Sequence, residues 1–306
     1  FHGLLARRAR PLDAATVAPI LAQGGTILGT HNACDPFAFE GRDQSAAALA
    51  FARELGLDAL VVIGGDGTML IAHRFQQLGL PVVGVPKTID NDLPATDRTF
   101  GFDSAVAVVS EALDRVATTA RSHGRVMIVE TMGRHAGWIA LEGGLAGGAD
   151  AILLPELPFS VDAVAAFARA REQAEGCTLI CIAEGARAEG EGLTVAERIE
   201  GRPDPLRLGG VGAWLQQRLQ PLLASEVRSA LLGHVQRGGT PTAFDRILST
   251  RFGWHVAELV LQGRFGRMVA LQGDDIVSIG LEQVAGQSRP VPPDHPLLFV
   301  ARGTGV

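Results

Sequence analysis

Val61-Val62-Ile63-Gly64-Gly65-Asp66-Gly67-Thr68 carries an apolar run into a glycine pair, an acid, a third glycine and a hydroxyl. Helical periodicity then begins at Met69 and lasts to Leu78. A strand end that feeds a helix N-terminus is where doubly wound sheets hold their ligands. Glycines let an anion approach the backbone, and the free N–H groups of the helix start favour negative charge. Gly65, Asp66, Gly67 and Thr68 are therefore candidates for holding phosphate. Asp66 beside such a phosphate suits Mg2+, a hard cation that takes one or two carboxylates and keeps waters. The competing reading makes Asp66 or Thr68 a helix N-cap behind a tight turn.

The same alternation extends in both directions. Ala59–Ile63, Pro81–Pro86, Val126–Glu130, Ala151–Pro155 and Leu179–Ala183 are continuous apolar runs of strand length. Unbroken hydrophobicity predicts burial on both faces, as in a parallel sheet covered by helices. Ala46–Leu55, Met69–Leu78, Ala105–Ala120 and Val161–Ala174 have helical spacing and fall between the runs. The expected fold is α/β and doubly wound. A barrel of eight regular units is the rival, but the units here are fewer and unevenly spaced.

Composition narrows the function classes. The chain has 306 residues, 47% hydrophobic and 20% charged, with net charge −6 and no long run of either sign. It lacks the basic field that a nucleic-acid partner would require. Glycine accounts for 38 residues, about 12% against a usual ~7%. Most glycine pairs, such as Gly143-Gly144 and Gly147-Gly148, read as packing and turn devices. Cys34, Cys177 and Cys181 are too few for a disulfide framework, and Cys177 and Cys181 read as core on one strand face. No stretch is long enough to span a membrane and no signal peptide is visible, so the expected compartment is cytoplasmic.

Val85-Pro86-Lys87-Thr88-Ile89-Asp90-Asn91-Asp92 ends the next apolar run. A lysine, a threonine, two acids and an amide in six residues make an expensive loop unless they serve ligands. Two carboxylates at this spacing can divide labour, one taking a proton and the other organising a metal or its neighbour. Lys87 can neutralise phosphate oxygens as a point charge. The alternative is an Asx-rich turn.

Gly-Gly-Asp-Gly-Thr followed by Pro-Lys-Thr-Ile-Asp-Asn-Asp resembles the 6-phosphofructokinase family. NAD kinases and lipid kinases share the pentapeptide but not the second segment. Met132-Gly133-Arg134, Ala183-Glu184-Gly185 and Gly233-His234-Val235-Gln236-Arg237-Gly238-Gly239 extend the match in order, from near Gly3 to about Gly273. The resemblance implies phosphoryl transfer to the 1-hydroxyl of fructose 6-phosphate. It makes Asp90 the general base, with Thr88 alongside, Lys87 near the donor, and Asp66 and Asp92 orienting Mg2+. Arg134 would stabilise charge on the transferring oxygens. Met132, Gly133 and Glu184 would hold the sugar, and His234, Arg237, Arg125 and Arg228 its 6-phosphate. Arg125 and Arg228 would reach the site of a neighbouring subunit, so a homo-oligomer, usually a tetramer, is expected. Taken alone, Arg125 could be solvated, and His234, in an apolar strand, could be a satisfied core histidine.

Donor choice turns on two residues. Gly67 leaves room for a nucleotide α-phosphate where pyrophosphate users usually carry a second aspartate. Lys87 is more usual in pyrophosphate users. The steric and charge block acts directly, so ATP is the expected donor and pyrophosphate the alternative.

The resemblance also places a strand and a glycine-rich turn ahead of Phe1, so the chain reads as N-terminally truncated, with an unpaired edge in its first sheet. Asn32 stands where relatives usually have a donor-contacting arginine. A non-catalytic subunit is the alternative from another class. The expected architecture is two Rossmann-like lobes: residues 1–101 with 236–285 for the donor, and 102–235 with 286–306 for the sugar phosphate. Arg289-Pro290-Val291-Pro292-Pro293 reads as a linker or surface strap.

Overall fold

The computed structural model describes residues 1–31, 34–174, 176–198 and 206–305. Asn32 lies outside the described residues. In chain order the elements are α1 (His2–Leu5), α2 (Ala14–Val17), α3 (Ser45–Glu54), β1 (Leu60–Gly64), α4 (Asp66–Gln77), β2 (Val82–Pro86) and α5 (Phe102–His123). Then follow β3 (Val126–Thr131), α6 (Trp138–Ala146), β4 (Ala151–Leu153), α7 (Val161–Ala174), β5 (Thr178–Ala183), β6 (Val195–Arg198) and β7 (Leu206–Leu208). The last are α8 (Val211–Leu219), β8 (Val227–Leu231), α9 (Ala243–Leu261), β9 (Arg267–Gln272), β10 (Asp275–Gly280) and α10 (Pro296–Gly303).

These strands make two principal sheets, ordered β1-β2-β9-β10 and β4-β5-β3-β8. The second sheet is parallel throughout, and in the first only the β9–β10 pair is antiparallel. Side-chain alternation sends neighbouring residues to opposite helical layers. In the second sheet Met127, Val129, Leu179 and Cys181 pack under α5 and α6, while Val126, Ile128, Ile180 and Ile182 pack under α7 and α8. In the first, Val62, Val82, Met268 and Ala270 meet α3 and α4. Val83, Val85, Val269 and Leu271 meet Leu248, Phe252, Val256 and Leu259 of α9. The chain is thus α/β and doubly wound twice over.

β2, β3 and β5 are buried at every position, as their unbroken apolar runs require. β1 departs from that expectation. It is the edge of its sheet, and Val61 and Ile63 are 42% and 56% exposed. Close helix packing accounts for two of the glycines. A Cβ on Gly143 would come within 2.6 Å of Val109, and one on Gly147 within 2.6 Å of Leu113, so α5 and α6 meet at a distance only glycine allows.

Three further readings are corrected. α4 starts at Asp66, with Gly65 at the N-cap and no side-chain cap bond, which removes the capping role considered for Asp66 or Thr68. The apolar stretch Ser229–Val235 around His234, expected as one strand, does not continue as strand. β8 ends at Leu231 and a 3₁₀ turn covers Gly233–Arg237, so His234 sits in an exposed turn and not in a strand. The segment after Ser288 is no surface strap, because Val291 is 1% exposed and belongs to the core between α5 and α6. Cys181 is fully buried, and burial pushes its thiol up to about 12; Cys177 lies just ahead of β5, half-buried beside the same core. Among the described residues no helix is long and apolar enough to cross a membrane.

Candidate active site

Parallel pairing of β1 with β2 runs from Leu60 opposite Val82 to Gly64 opposite Pro86, so both strands end together. The loops that follow leave the sheet side by side. The Lys87 N–H donates to the Gly64 carbonyl at 2.9 Å, and a Cβ on Gly65 would stand 3.6 Å from Thr88. Gly64 has no room for a side chain, since its Cβ would lie 2.3 Å from the Thr68 hydroxyl. Asp66 occupies the first turn of α4, and a Cβ on Gly67 would meet nothing within 4 Å. The helix start therefore presents N–H groups and one carboxylate to open space.

The loop after β2 is braced from inside. Thr88 Oγ1 accepts from the Asp90 N–H at 3.1 Å, and the Thr88 carbonyl accepts from the Thr99 hydroxyl at 2.7 Å. Asn91 is 1% exposed and left-handed at φ 52°. Its side chain accepts from the Thr99 N–H at 3.0 Å and donates to the Asp97 carbonyl at 3.3 Å. Asn91 is thus a fastener of the loop, and the two acids beside it carry the unmet demand. Asp90 and Asp92 are buried, and Oδ1 of each has no hydrogen-bond partner among the described residues. Buried oxygens in that state are costly and point to something they receive.

Burial is the main force that raises the Asp90 carboxyl, and Asp66 adds to it; Arg237, Arg134 and Lys87 pull the other way. Asp92 is pushed up to about 7, first by burial and then by Asp90 and Asp66. Lys87 reaches solvent at its side chain, yet the protein packed around it holds its ammonium low, desolvation leading and Arg237 second. A raised carboxyl keeps its proton in the folded chain where the unfolded chain has lost it. Stability therefore falls as pH rises from about 4 to about 7, by on the order of 4 kcal/mol through Asp92. In EDTA, urea midpoints across that range should show the decline, and Asp92→Asn should flatten it. An unchanged slope in the variant would contradict this origin.

The second sheet supplies the facing wall. After β3, Gly133 adopts φ 139° and Arg134 φ 52°. Glu184, which follows the neighbouring β5, accepts from the N–H groups of Gly133 and Arg134 at 3.3 and 2.9 Å. Burial raises the Glu184 carboxyl, with Asp90 contributing further. Gln236, 2% exposed, ties this turn to the next, accepting from Met132 N–H at 3.2 Å and donating to the Gly233 carbonyl at 3.1 Å. That brings His234 and Arg237 onto the same rim as Met132, Gly133 and Arg134. Asp90 feels the charges of Asp66, Lys87, Arg134 and Arg237 together, so both sheets converge on one carboxylate.

Arg125 and Arg228 are not part of that convergence. Arg125 precedes β3 and Arg228 is the second residue of β8, whereas the rim residues follow those strands. A strand of this length separates the two ends by about 17–20 Å. Both arginines pair with Glu226. Gln236 and the fastening role of Asn91 are not evident from sequence. A glutamine between valine and arginine in a glycine-bounded turn is the signal that could have marked the first.

Mg2+ fits these residues in one specific sense. Among the described residues no group of three or more His, Cys, Asp or Glu could enclose a metal. Asp66 and Asp92, with an unpartnered buried oxygen on the latter, match a cation that binds through one or two carboxylates and completes its shell with water and substrate phosphates.

The phosphofructokinase family profile matches residues 1–260. Across its full length, and 86% of the relative, the chain is 48% identical to an ATP-dependent 6-phosphofructokinase of Chloroflexus aurantiacus. Over 96% of its length, and 86% of the relative, it is 48% identical to a pyrophosphate–fructose 6-phosphate 1-phosphotransferase of Amycolatopsis methanolica. The solved phosphofructokinase of Saccharomyces cerevisiae superposes with a TM-score of 0.77 at 31% identity, covering 92% of this chain and 39% of the yeast chain. This chain therefore spans about two fifths of that structure's length. With two mostly parallel sheets converging on Asp90 and a family profile running from Phe1 to Val260, the chain belongs to the phosphofructokinase family.

Proposed function

We propose that the protein transfers the γ-phosphoryl group of ATP to the 1-hydroxyl of fructose 6-phosphate, giving fructose 1,6-bisphosphate and ADP. The observation that carries this reading is Asp90, a buried carboxylate with an unpartnered oxygen, set between the start of α4 and the guanidinium groups of Arg134 and Arg237. Asp90 accepts the proton of the sugar hydroxyl as its oxygen attacks the γ-phosphorus and the bond to the ADP oxygen breaks. Burial that raises its carboxyl makes it a better base, and Arg237, Arg134 and Lys87 oppose that rise. Arg134 and Lys87 stabilise charge on the transferring oxygens, and Thr88 and Thr68 border the phosphate path. Asp66 and Asp92 would hold Mg2+, which neutralises donor phosphate charge when bound.

Met132, Gly133 and Glu184 line the sugar side, where Glu184 uses one oxygen on the turn and has the other for a hydroxyl. His234 and Arg237 take the 6-phosphate. The donor lobe is 1–101 with 236–285, and the sugar lobe 102–235 with 286–306. Arg125 and Arg228, at the far end of the second sheet, serve a neighbouring copy in a homo-oligomer. The reaction belongs to glycolysis in the cytoplasm.

A second reading, pyrophosphate as donor, is supported by Lys87, more usual in pyrophosphate users, and by the 48% identity to a pyrophosphate–fructose 6-phosphate 1-phosphotransferase. Steady-state assays of the purified protein with fructose 6-phosphate, Mg2+ and each donor decide between them. Higher kcat/KM with ATP is expected, and higher kcat/KM with pyrophosphate overturns the donor assignment. Gly67→Asp sharpens the test, because Gly67 opens onto free space at the helix start. A carboxylate there meets the α-phosphate, and such like-charge contacts cost several kcal/mol, so kcat/KM for ATP should fall by roughly 100-fold. Pyrophosphate turnover should change far less, and equal losses for both donors would show that position 67 does not discriminate.

A further inference from the structure

The Asp90–Asn91–Asp92 turn is fastened on its inner side by Asn91 and Thr99, but the peptide carbonyls that bracket Asp92 face elsewhere. Both are taken by one residue that is 198 positions from Asn91. The Arg289 guanidinium donates from Nη2 to the Asn91 carbonyl at 2.9 Å and to the Asp97 carbonyl at 3.3 Å. The Arg289 backbone N–H donates to the Asp92 carbonyl at 2.6 Å. Among the described residues these are the hydrogen bonds that the Asn91 and Asp92 carbonyls make.

Arg289 is itself held from the second sheet's helical layer. Trp138, the first residue of α6, donates its indole N–H to the Arg289 carbonyl at 2.9 Å, and its ring lies under the guanidinium with the centroid 4.6 Å away. Two residues on, the Val291 N–H donates to Glu156 Oε1 at 2.7 Å, the same oxygen that accepts from the Gly137 N–H at 2.9 Å. His295 closes edge-on against Trp138 at 5.0 Å. The segment read from sequence as a strap is thus a clamp, anchored on α6 and gripping the turn that carries the two acids. A planar guanidinium can lie flat on an indole while its N–H groups donate in the plane, a combination that an ammonium does not offer.

We propose that Arg289 is a positioning residue for phosphoryl transfer, clamped on Trp138 and holding the Asp90–Asn91–Asp92 turn so that Asp90 keeps its alignment with the sugar hydroxyl. This rests on the reading of Asp90 as base. A left-handed Asn91 is a conformation the surroundings must enforce, and the clamp is the only grip on its outer side among the described residues. Misplacement of reacting groups by about 1 Å can cost 10²-fold in rate, and the clamp acts on geometry without touching either substrate.

In the full chain, Arg289→Ala should lower kcat about 30-fold while both substrate KM values stay within about 3-fold. Guanidinium chloride at tens of millimolar should restore a substantial part of the loss. In an Asp90→Asn background the same substitution should cost nothing further, since a misaligned base that is already absent cannot slow the reaction. Should Arg289→Ala not fold, Trp138→Phe leaves an aromatic ring in place and removes the indole donor with part of the ring; kcat should then fall several-fold with KM unchanged. The proposal is overturned by an Arg289→Ala enzyme with kcat near wild type, by an undiminished loss in the Asp90→Asn background, by failure of guanidinium to rescue a folded variant, or by a Trp138→Phe enzyme of normal kcat. Asp90→Asn alone separates the two levels. If it keeps the wild-type rate, the base reading falls and the clamp's role with it. If it loses the rate and Arg289→Ala does not, only the clamp falls.

Discussion

Asp90→Asn is expected to lower kcat by roughly 10³-fold, the range in which a positioned general base contributes, with both KM values little changed. The substitution keeps the shape of the side chain and removes its capacity to take a proton. It should also leave the protein at least as stable as wild type near pH 8. Burial disfavours the Asp90 carboxylate, and Asp66 adds repulsion, so a neutral amide relieves a cost that the folded chain carries for the sake of chemistry. The two readouts move in opposite directions, which a damaged fold cannot imitate. Thermal melts beside initial rates at saturating substrates provide the check. Full activity in the variant would remove Asp90 from proton transfer, whatever the stability does.

Arg134→Met is the second large effect, about 10²-fold or more in kcat, as seen when a preorganised donor to developing negative charge is lost. Arg134 is exposed, and its left-handed turn is held through backbone N–H groups on Glu184, not through its own guanidinium. Its side chain can therefore be exchanged without opening the turn, and the melting temperature should stay near wild type. The loss should appear in kcat more than in the KM for fructose 6-phosphate, because charge on the transferring oxygens is largest in the transition state. A variant with raised sugar KM and unchanged kcat would move Arg134 from the chemistry to substrate binding.

Much of the fold could be read from local sequence. β2, β3 and β5 are uniformly apolar because they are interior parallel strands, and interior position is what an unbroken run reports. β1 carries a run of the same kind, yet Val61 and Ile63 are exposed, since burial depends on what lies beside a strand and not on its own residues. Apolar periodicity misses the start of α4, because Asp66, Gly67 and Thr68 contribute none to a turn that is nonetheless helical. Ser229–Val235 read as one strand because hydrophobicity cannot register the left-handed Gly233 that breaks it.

The candidate site divides in the same way. Lys87, Thr88, Asp90 and Asp92 stand out as polar residues at the end of an apolar run, and Asp66 as an acid among glycines. Gln236 and Arg289 do not, because each acquires its role from a contact made across more than a hundred residues: Met132 for the first, and Asn91 and Trp138 for the second. In sequence Asn91 reads as one more ligand-facing polar group, and only its φ and its bonds to Thr99 and Asp97 show that it fastens the loop.

The most direct measurement is a structure of the protein with fructose 6-phosphate, Mg2+ and a non-hydrolysable ATP analogue bound together. The assignment requires an Asp90 carboxylate oxygen at about 2.6–3.2 Å from the sugar's 1-hydroxyl oxygen, with the γ-phosphate between that hydroxyl and the start of α4. A complex in which the 1-hydroxyl points away from Asp90, or in which the nucleotide phosphates lie on the opposite edge of the sheet from residues 64–68, would contradict it.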